Sequence, residues 1–163
     1  MQRRDIPKTT AAMFIALAAP AIAQTASPAR RAAEQFAATL SAHDITAFAA
    51  LFAADYKQHQ FSAATPPPQP GLTPKQATVA FFTARLTGLP DLTVTIEATV
   101  AADDMVAASF VYEGTHQGLY FGVAPTGRRL RFSSCDIFKL RDGLIVEHWG
   151  MGDIAGTLAQ LKS

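Results

Sequence analysis

Leu130-Arg131-Phe132-Ser133-Ser134-Cys135-Asp136-Ile137-Phe138-Lys139-Leu140, followed by Arg141-Asp142-Gly143 and then Leu144-Ile145-Val146-Glu147-His148-Trp149, is the stretch that decides the fold. Side chains alternate between the two faces of an extended strand. One face therefore carries Leu130, Phe132, Ser134, Asp136, Phe138 and Leu140. The other carries Arg129, Arg131, Ser133, Cys135, Ile137 and Lys139. The first is the inner face, and Asp136 stands alone on it as an acid among phenylalanines. A carboxylate there is costly to ionise without a partner. The turn that follows names the partner. A two-residue Asp-Gly loop sets Trp149 opposite Asp136 and turns Ile145 and Glu147 inward. A three-residue loop, with Gly143 in a left-handed conformation, sets His148 opposite Asp136 and turns Leu144 and Val146 inward. The three-residue loop is favoured because it adds no second acid beside Asp136.

Working upstream, Met105 to His116 forms another strand, with Val106, Ala108, Phe110, Tyr112, Gly114 and His116 on one face. Asp103-Asp104 turns it back to Leu92, Val94 and Ile96, which alternate with Thr93, Thr95 and Glu97. Gly118 to Val123 leads into the Pro125-Thr126-Gly127 turn. Before Leu92 the period is helical. Ser27-Pro28 starts a helix with Ala33, Phe36, Ala37 and Leu40 on one stripe. Asp44 caps a short second helix with Ile45, Phe48, Leu51 and Phe52, and Asp55 to Gln60 is extended. Thr65 to Gly71 holds four prolines in seven residues and reads as a loop. Thr73-Pro74 starts a third helix, apolar on both the Ala77, Phe81, Ala84 side and the Val79, Phe82, Leu86 side. That width predicts burial around most of its circumference. Gly88 and Pro90 end it. Downstream, Asp153 caps a last helical turn carrying Leu158 and Leu161. Helices first and a meandering antiparallel sheet afterwards make the class α+β, and 27–163 one domain.

The first residues stand apart from this pattern. Arg3, Arg4 and Lys8 face one acid, Asp5, and an uncharged alanine-rich run from Thr10 to Ala23 ends in Ala21-Ile22-Ala23. Basic start, apolar middle and a small-x-small ending are the parts of a signal peptide. Residues 1–23 are expected to be one, with cleavage after Ala23 or near Ala26. The run is short of the ~20 residues of a membrane span. Export to a periplasmic or secreted location follows, and Arg3-Arg4 hints at a twin-arginine signal.

Apolar residues are 49% and charged residues 17% of the 163, with a formal charge of +1. Such a chain is globular, and no basic stripe exists to neutralise the phosphates of a nucleic acid. Cys135 is the sole cysteine. Neither an internal disulfide nor a thiolate metal site can be built from it.

Asp136 and His148 are the candidate catalytic residues. An aspartate orients a histidine and stabilises its protonated form, and the histidine moves protons near neutral pH. The bland alternative is a satisfied polar network that fixes strand register. His116 and His59 are expected to approach the same cavity, His59 at its mouth. Tyr112, Phe132, Ser134 and Phe138 form its wall as ligand-binding residues. His43 lies apart. Histidines on separate elements, without a helical i, i+4 pair, argue against a metal ion held at ~2 Å. Trp149 falls on the outer side.

Several segments in register carry a family resemblance. They are Leu51-Phe52-Ala53-Ala54-Asp55-Tyr56 with His59, Leu89-Pro90-Asp91-Leu92, Gly114-Thr115-His116-Gln117-Gly118, Pro125-Thr126-Gly127-Arg128, Asp136-Ile137-Phe138, Asp142-Gly143-Leu144-Ile145-Val146-Glu147-His148-Trp149, Asp153, and Gly156-Thr157-Leu158-Ala159-Gln160-Leu161. Together these resemble the SnoaL-like polyketide cyclases, with an ester cyclase flavour, from about residue 30 to 161. The resemblance implies the cone-shaped α+β barrel of the nuclear transport factor 2-like superfamily and a homodimer formed through the sheet. It also implies cofactor-free aldol ring closure, in which a carboxylate removes a proton beside a carbonyl and donors hold the enolate oxygen. The family's principal acid–base aspartate corresponds to Gly150 here, so Asp136 with His148 is the expected replacement. The ligand implied is a small, partly apolar carbonyl compound. The expected activity is aldol cyclisation or a related isomerisation or dehydration. The alternative is a non-catalytic exported domain that binds a small hydrophobic ligand.

Overall fold

Ser27 and Pro28 start the first helix as expected: Ser27 Oγ accepts the Arg30 N–H at 3.1 Å and caps α1 (Pro28–Ser41). The computed structural model describes residues 27–59 and 70–163, so the signal-peptide expectation and most of the proline-rich loop concern residues outside this range. Asp44 caps α2 (Ile45–Ala50), and Thr73 and Gln76 form a reciprocal capping box at the start of α3 (Pro74–Gly88). Asp153 caps α4 (Ile154–Lys162). The strands are β1 (Phe52–Gln58), β2 (Thr93–Ala102), β3 (Met105–Thr115), β4 (Arg129–Arg141) and β5 (Leu144–Gly152). Phe52 thus opens a strand and does not continue α2.

The five strands form one sheet in the order β1-β5-β4-β3-β2. Consecutive strands from β2 to β5 pair antiparallel, and β1 adds to β5 in parallel at the edge. The α+β class holds, with the refinement that the sheet is mixed at β1. Alternation on β4 is as read from sequence: Leu130, Phe132, Asp136, Phe138 and Leu140 are buried, while Arg129, Arg131, Ser133, Cys135 and Ile137 are exposed. On this inner face sits the core. Phe36 of α1 is its hub, with ring centroids 5.0–5.3 Å from Phe48, Phe82, Phe110 and Phe138. Those rings come from α2, α3, β3 and β4, so one aromatic side chain joins four elements.

Two expectations need correction. α3 is not buried around most of its circumference; its buried residues are Thr78, Phe82, Arg85 and Gly88. Ala80 and Ala84 are exposed, because α3 lies on the rim and only the stripe facing the sheet is covered. The β4–β5 turn is the two-residue Asp142-Gly143 loop, not the three-residue one, since Arg141 pairs with Leu144. Both turn residues have positive φ, 54° and 79°. That is the geometry whose twist matches a two-residue hairpin.

Candidate active site

A two-residue turn alone would send His148 outward, yet His148 is 1% exposed and faces the core. The reason is a bulge. Leu140 pairs with Ile145 but Lys139 pairs with Glu147, which leaves Val146 as an extra residue in β5. The bulge shifts the phase by one, so His148 lies opposite Phe138 and Asp136 lies opposite Gly150. Asp136 and His148 are therefore diagonal neighbours on the inner face and not direct cross-strand partners. The expected face is right, and the register behind it is different. Ile145, not Leu144, takes the core position: it is fully buried while Leu144 is 39% exposed.

The pair itself is close. His148 Nε2 lies 2.7 Å from Asp136 Oδ1, with both side chains almost wholly shielded from solvent. The other ring nitrogen, Nδ1, has Tyr56 Oη at 3.1 Å and Gln58 Nε2 at 3.2 Å. Burial pushes the Tyr56 hydroxyl well above the ordinary phenol range, so it stays a donor. With donors at Nδ1, the imidazole proton belongs on Nε2, directed at the carboxylate. Tyr56 and Gln58 are two residues apart on β1 and reach His148 because Gln58 pairs with it in the parallel ladder. Thr78 of α3 donates to Tyr56 Oη at 3.4 Å and extends the network.

The second carboxylate oxygen leads elsewhere. Asp136 Oδ2 accepts from Ser134 Oγ, and Ser134 Oγ is also 3.4 Å from Tyr112 Oη. A serine has one hydrogen; with it on Asp136, Tyr112 is the donor in that last contact. Burial first, and then the Asp136 carboxylate, push the Tyr112 hydroxyl far above the usual phenol range. Tyr112 stacks flat on Phe132, 5.2 Å between centroids. Over both lies the guanidinium of Arg85, 4.6 Å from the Tyr112 ring centre and 5.2 Å from that of Phe132. It also covers Phe81 and Phe82, and its Nε donates to Tyr120 Oη at 3.1 Å. Gly88 makes room for Tyr120: a Cβ at Gly88 would lie 2.6 Å from Tyr120 Cβ.

The remaining expected site residues divide. Phe138 packs against His148, ring centres 4.8 Å apart, and Phe132, Ser134 and Tyr112 belong to the network just described. His116 is fully buried on the inner face at the end of β3, where its Nδ1 accepts the Thr126 N–H at 3.2 Å. That bond places its proton on Nε2, which has no partner among the described residues. It does not join the Asp136–His148 group. His59 does not enter at all. Its ring stacks on Trp149 at 4.4 Å and bonds Glu147 at 2.8 Å, on the outer side of β5. The cause is register: Lys57 pairs with Glu147 and Gln58 with His148, which carries the chain past the inner face before His59. So one histidine, not three, meets Asp136. His43 bonds the Leu92 carbonyl at 3.0 Å, apart as expected.

Rings of Phe36 and Phe138 flank the pair, so the interior beside His148 is densely filled. The groove of about 980 Å³ along α3, lined by Val79, Ala80, Thr83 and Leu119 among others, contains no member of the network. Among the described residues no group of histidine, cysteine and acid side chains is arranged to hold a metal ion, and no helix is long and apolar enough to cross a membrane.

With this geometry in place, comparison with known proteins is decisive for the family. The family model for SnoaL-like polyketide cyclases matches residues 30–161. The chain is a SnoaL-like protein. Its fold is similar to that of IdmH from Streptomyces antibioticus, provisionally described as a polyketide cyclase, with a TM-score of 0.70 at 29% identity over 84% of this chain and 99% of that one. TsrD from Streptomyces laurentii has a TM-score of 0.69 at 24% identity, covering 83% of this chain and 95% of its own. AclR from Streptomyces galilaeus, provisionally described as a hydroxylase, has 0.69 at 22% identity over 85% and 83%. At those two identities the likeness shows the fold alone. No curated protein matches the chain.

This SnoaL-like chain keeps its site on β1, α3, β3, β4 and β5. Sequence reasoning found Asp136 and His148 but missed Tyr56, Gln58, Thr78 and Arg85. For Arg85 a signal existed: Thr78, Phe82 and Arg85 share one stripe of α3 with Phe82 plainly apolar.

Proposed function

We propose that this SnoaL-like protein performs cofactor-free acid–base chemistry beside the carbonyl of a small, partly apolar molecule. The observation that carries this is the buried Asp136–His148 pair at 2.7 Å. Asp136 is the base: it accepts the proton of the carbon next to the carbonyl. The His148 N–H and the Ser134 hydroxyl hold its charge before that transfer and make it a positioned carboxylate at rest. His148 is in turn fixed by Tyr56 and Gln58. Family membership supports the substrate class, and Gly150, buried on β5 opposite Asp136, leaves Asp136 as the carboxylate of this part of the inner face.

The same proposal includes export, supported by Arg3, Arg4 and the Thr10–Ala23 run. It also includes a homodimer through the outer sheet face, where Ile137 is 38% and Met151 78% exposed. A second reading, a non-catalytic binder, is favoured by one observation: both nitrogens of His148 are engaged, leaving no free lone pair.

Proton exchange separates the two. With 2-tetralone as the probe in D2O, NMR should show exchange beside the carbonyl accelerated by wild type. Asp136→Asn and His148→Ala should each lose about a hundredfold of that acceleration. Unchanged rates in both variants would remove the assignment, and no acceleration by wild type would leave the binder.

A further inference from the structure

Arg85 is 7% exposed, and among the described residues no carboxylate lies within ion-pair distance of it. A buried guanidinium without a paired anion is expensive, because its hydration is lost and nothing of opposite charge replaces it. Ring faces recover part of that loss, and here Phe81, Phe82, Tyr112 and Phe132 all lie with centroids 4.6–5.2 Å from the guanidinium carbon. Nε has Tyr120 Oη, a neutral acceptor. The nearest link to a negative charge runs through contacts: Arg85 over Tyr112, Tyr112 to Ser134, Ser134 to Asp136.

The buried charges among the described residues therefore sum to zero, one carboxylate at Asp136 and one guanidinium at Arg85. A neutral ligand preserves that balance. When Asp136 takes up a proton from the ligand, the carboxylate is neutralised and the ligand carries the negative charge, so the ligand becomes the buried anion that balances Arg85. Arginine keeps its charge throughout, so it can serve this purpose at any working pH.

We propose that Arg85 is the group that stabilises the enolate oxygen, and that the ligand is a neutral carbonyl compound ionised in place. This rests on Asp136 being the base, as proposed above. The step balances: the C–H electron pair remains on the ligand as its enolate, and the proton moves to Asp136. Electrostatic stabilisation of charge that appears only during reaction is where a preformed cation contributes most.

The test uses 2-naphthol, whose ionised form mimics the enolate of 2-tetralone and has its own absorption and fluorescence. In full-length Asp136→Asn protein, which imitates the protonated base, 2-naphtholate should bind about tenfold tighter or more than to wild type. Adding Arg85→Met should abolish that gain, and Arg85→Lys should restore only part of it, since the charge returns without the planar fork. Equal binding of naphtholate to wild type and Asp136→Asn, or no binding to either, overturns the proposal without needing an Arg85 variant. A gain that survives Arg85→Met overturns it as well. If instead tetralone exchange persists in Asp136→Asn while the naphtholate preference still depends on Arg85, the base assignment fails and the oxyanion site stands.

Discussion

At the scale of single residues, the chemistry turns on where one proton sits. His148 Nε2–H points at Asp136, and Tyr56 and Gln58 occupy Nδ1. Removing one member of a buried pair leaves the other uncompensated. Asp136→Ala leaves the His148 N–H and the Ser134 hydroxyl without their acceptor and should cost roughly 1–3 kcal/mol of stability in denaturant titration. Tyr56→Phe removes the hydrogen bonds to His148 and from Thr78 and should cost roughly 1–2 kcal/mol, with a smaller effect on proton exchange than His148→Ala. Asp136 was legible in the sequence because no other acid shares the inner face of its strand. His148 was legible because hairpin neighbours must lie within a few positions of each other. Tyr56, Gln58 and Arg85 were not, since contacts 92, 90 and 35 residues apart depend on how separate elements dock. Local alternation carries no information on that.

At the scale of elements, the β4–β5 hairpin shows two local rules meeting. Asp142-Gly143 makes the two-residue turn that its chemistry favours, and Val146 then bulges to bring the apolar and histidine positions inward. Sequence alone could not separate a longer loop from a shorter loop with a bulge, because both put His148 on the same face. Gly143 has φ 79° and open space around its Cα. Gly143→Ala should therefore cost about 1 kcal/mol through backbone strain alone, measured by thermal unfolding, while proton exchange is retained. The parallel docking of β1 on β5 was hidden for another reason. It joins strands far apart in the chain, with no turn between them to set the register.

Across the whole molecule, Phe36 binds the helices to the sheet, touching rings on α2, α3, β3 and β4 and lying 6.4 Å from His148. Phe36→Ala should cost roughly 3–5 kcal/mol and disturb the site as well. Acid sensitivity has a separate source. Asp91 accepts the Thr115 N–H at 2.5 Å and the Thr115 hydroxyl at 2.7 Å, tying the loop after α3 to the end of β3. Those bonds, the backbone one foremost and Arg129 least, hold its carboxyl below the ordinary range. A carboxyl lowered by folding contributes stability above its unfolded value and loses it as pH falls through the folded one. Asp91→Asn should lower the midpoint of thermal unfolding near neutral pH, and its gap from wild type should close in acid. The α+β class and the order of elements were legible because helical and two-residue periods fall in separate segments of the chain, most of the helices before Leu92 and four of the five strands after it. How the interior fills was not.

Histidine ¹⁵N NMR measures the central arrangement most directly. His148 should show a neutral ring protonated at Nε2, its proton shielded from exchange with solvent and displaced when Asp136 becomes Asn. A ring protonated at Nδ1, or an Nε2 proton exchanging as fast as that of an exposed histidine, would contradict the buried Asp136–His148 unit on which the proposed chemistry stands.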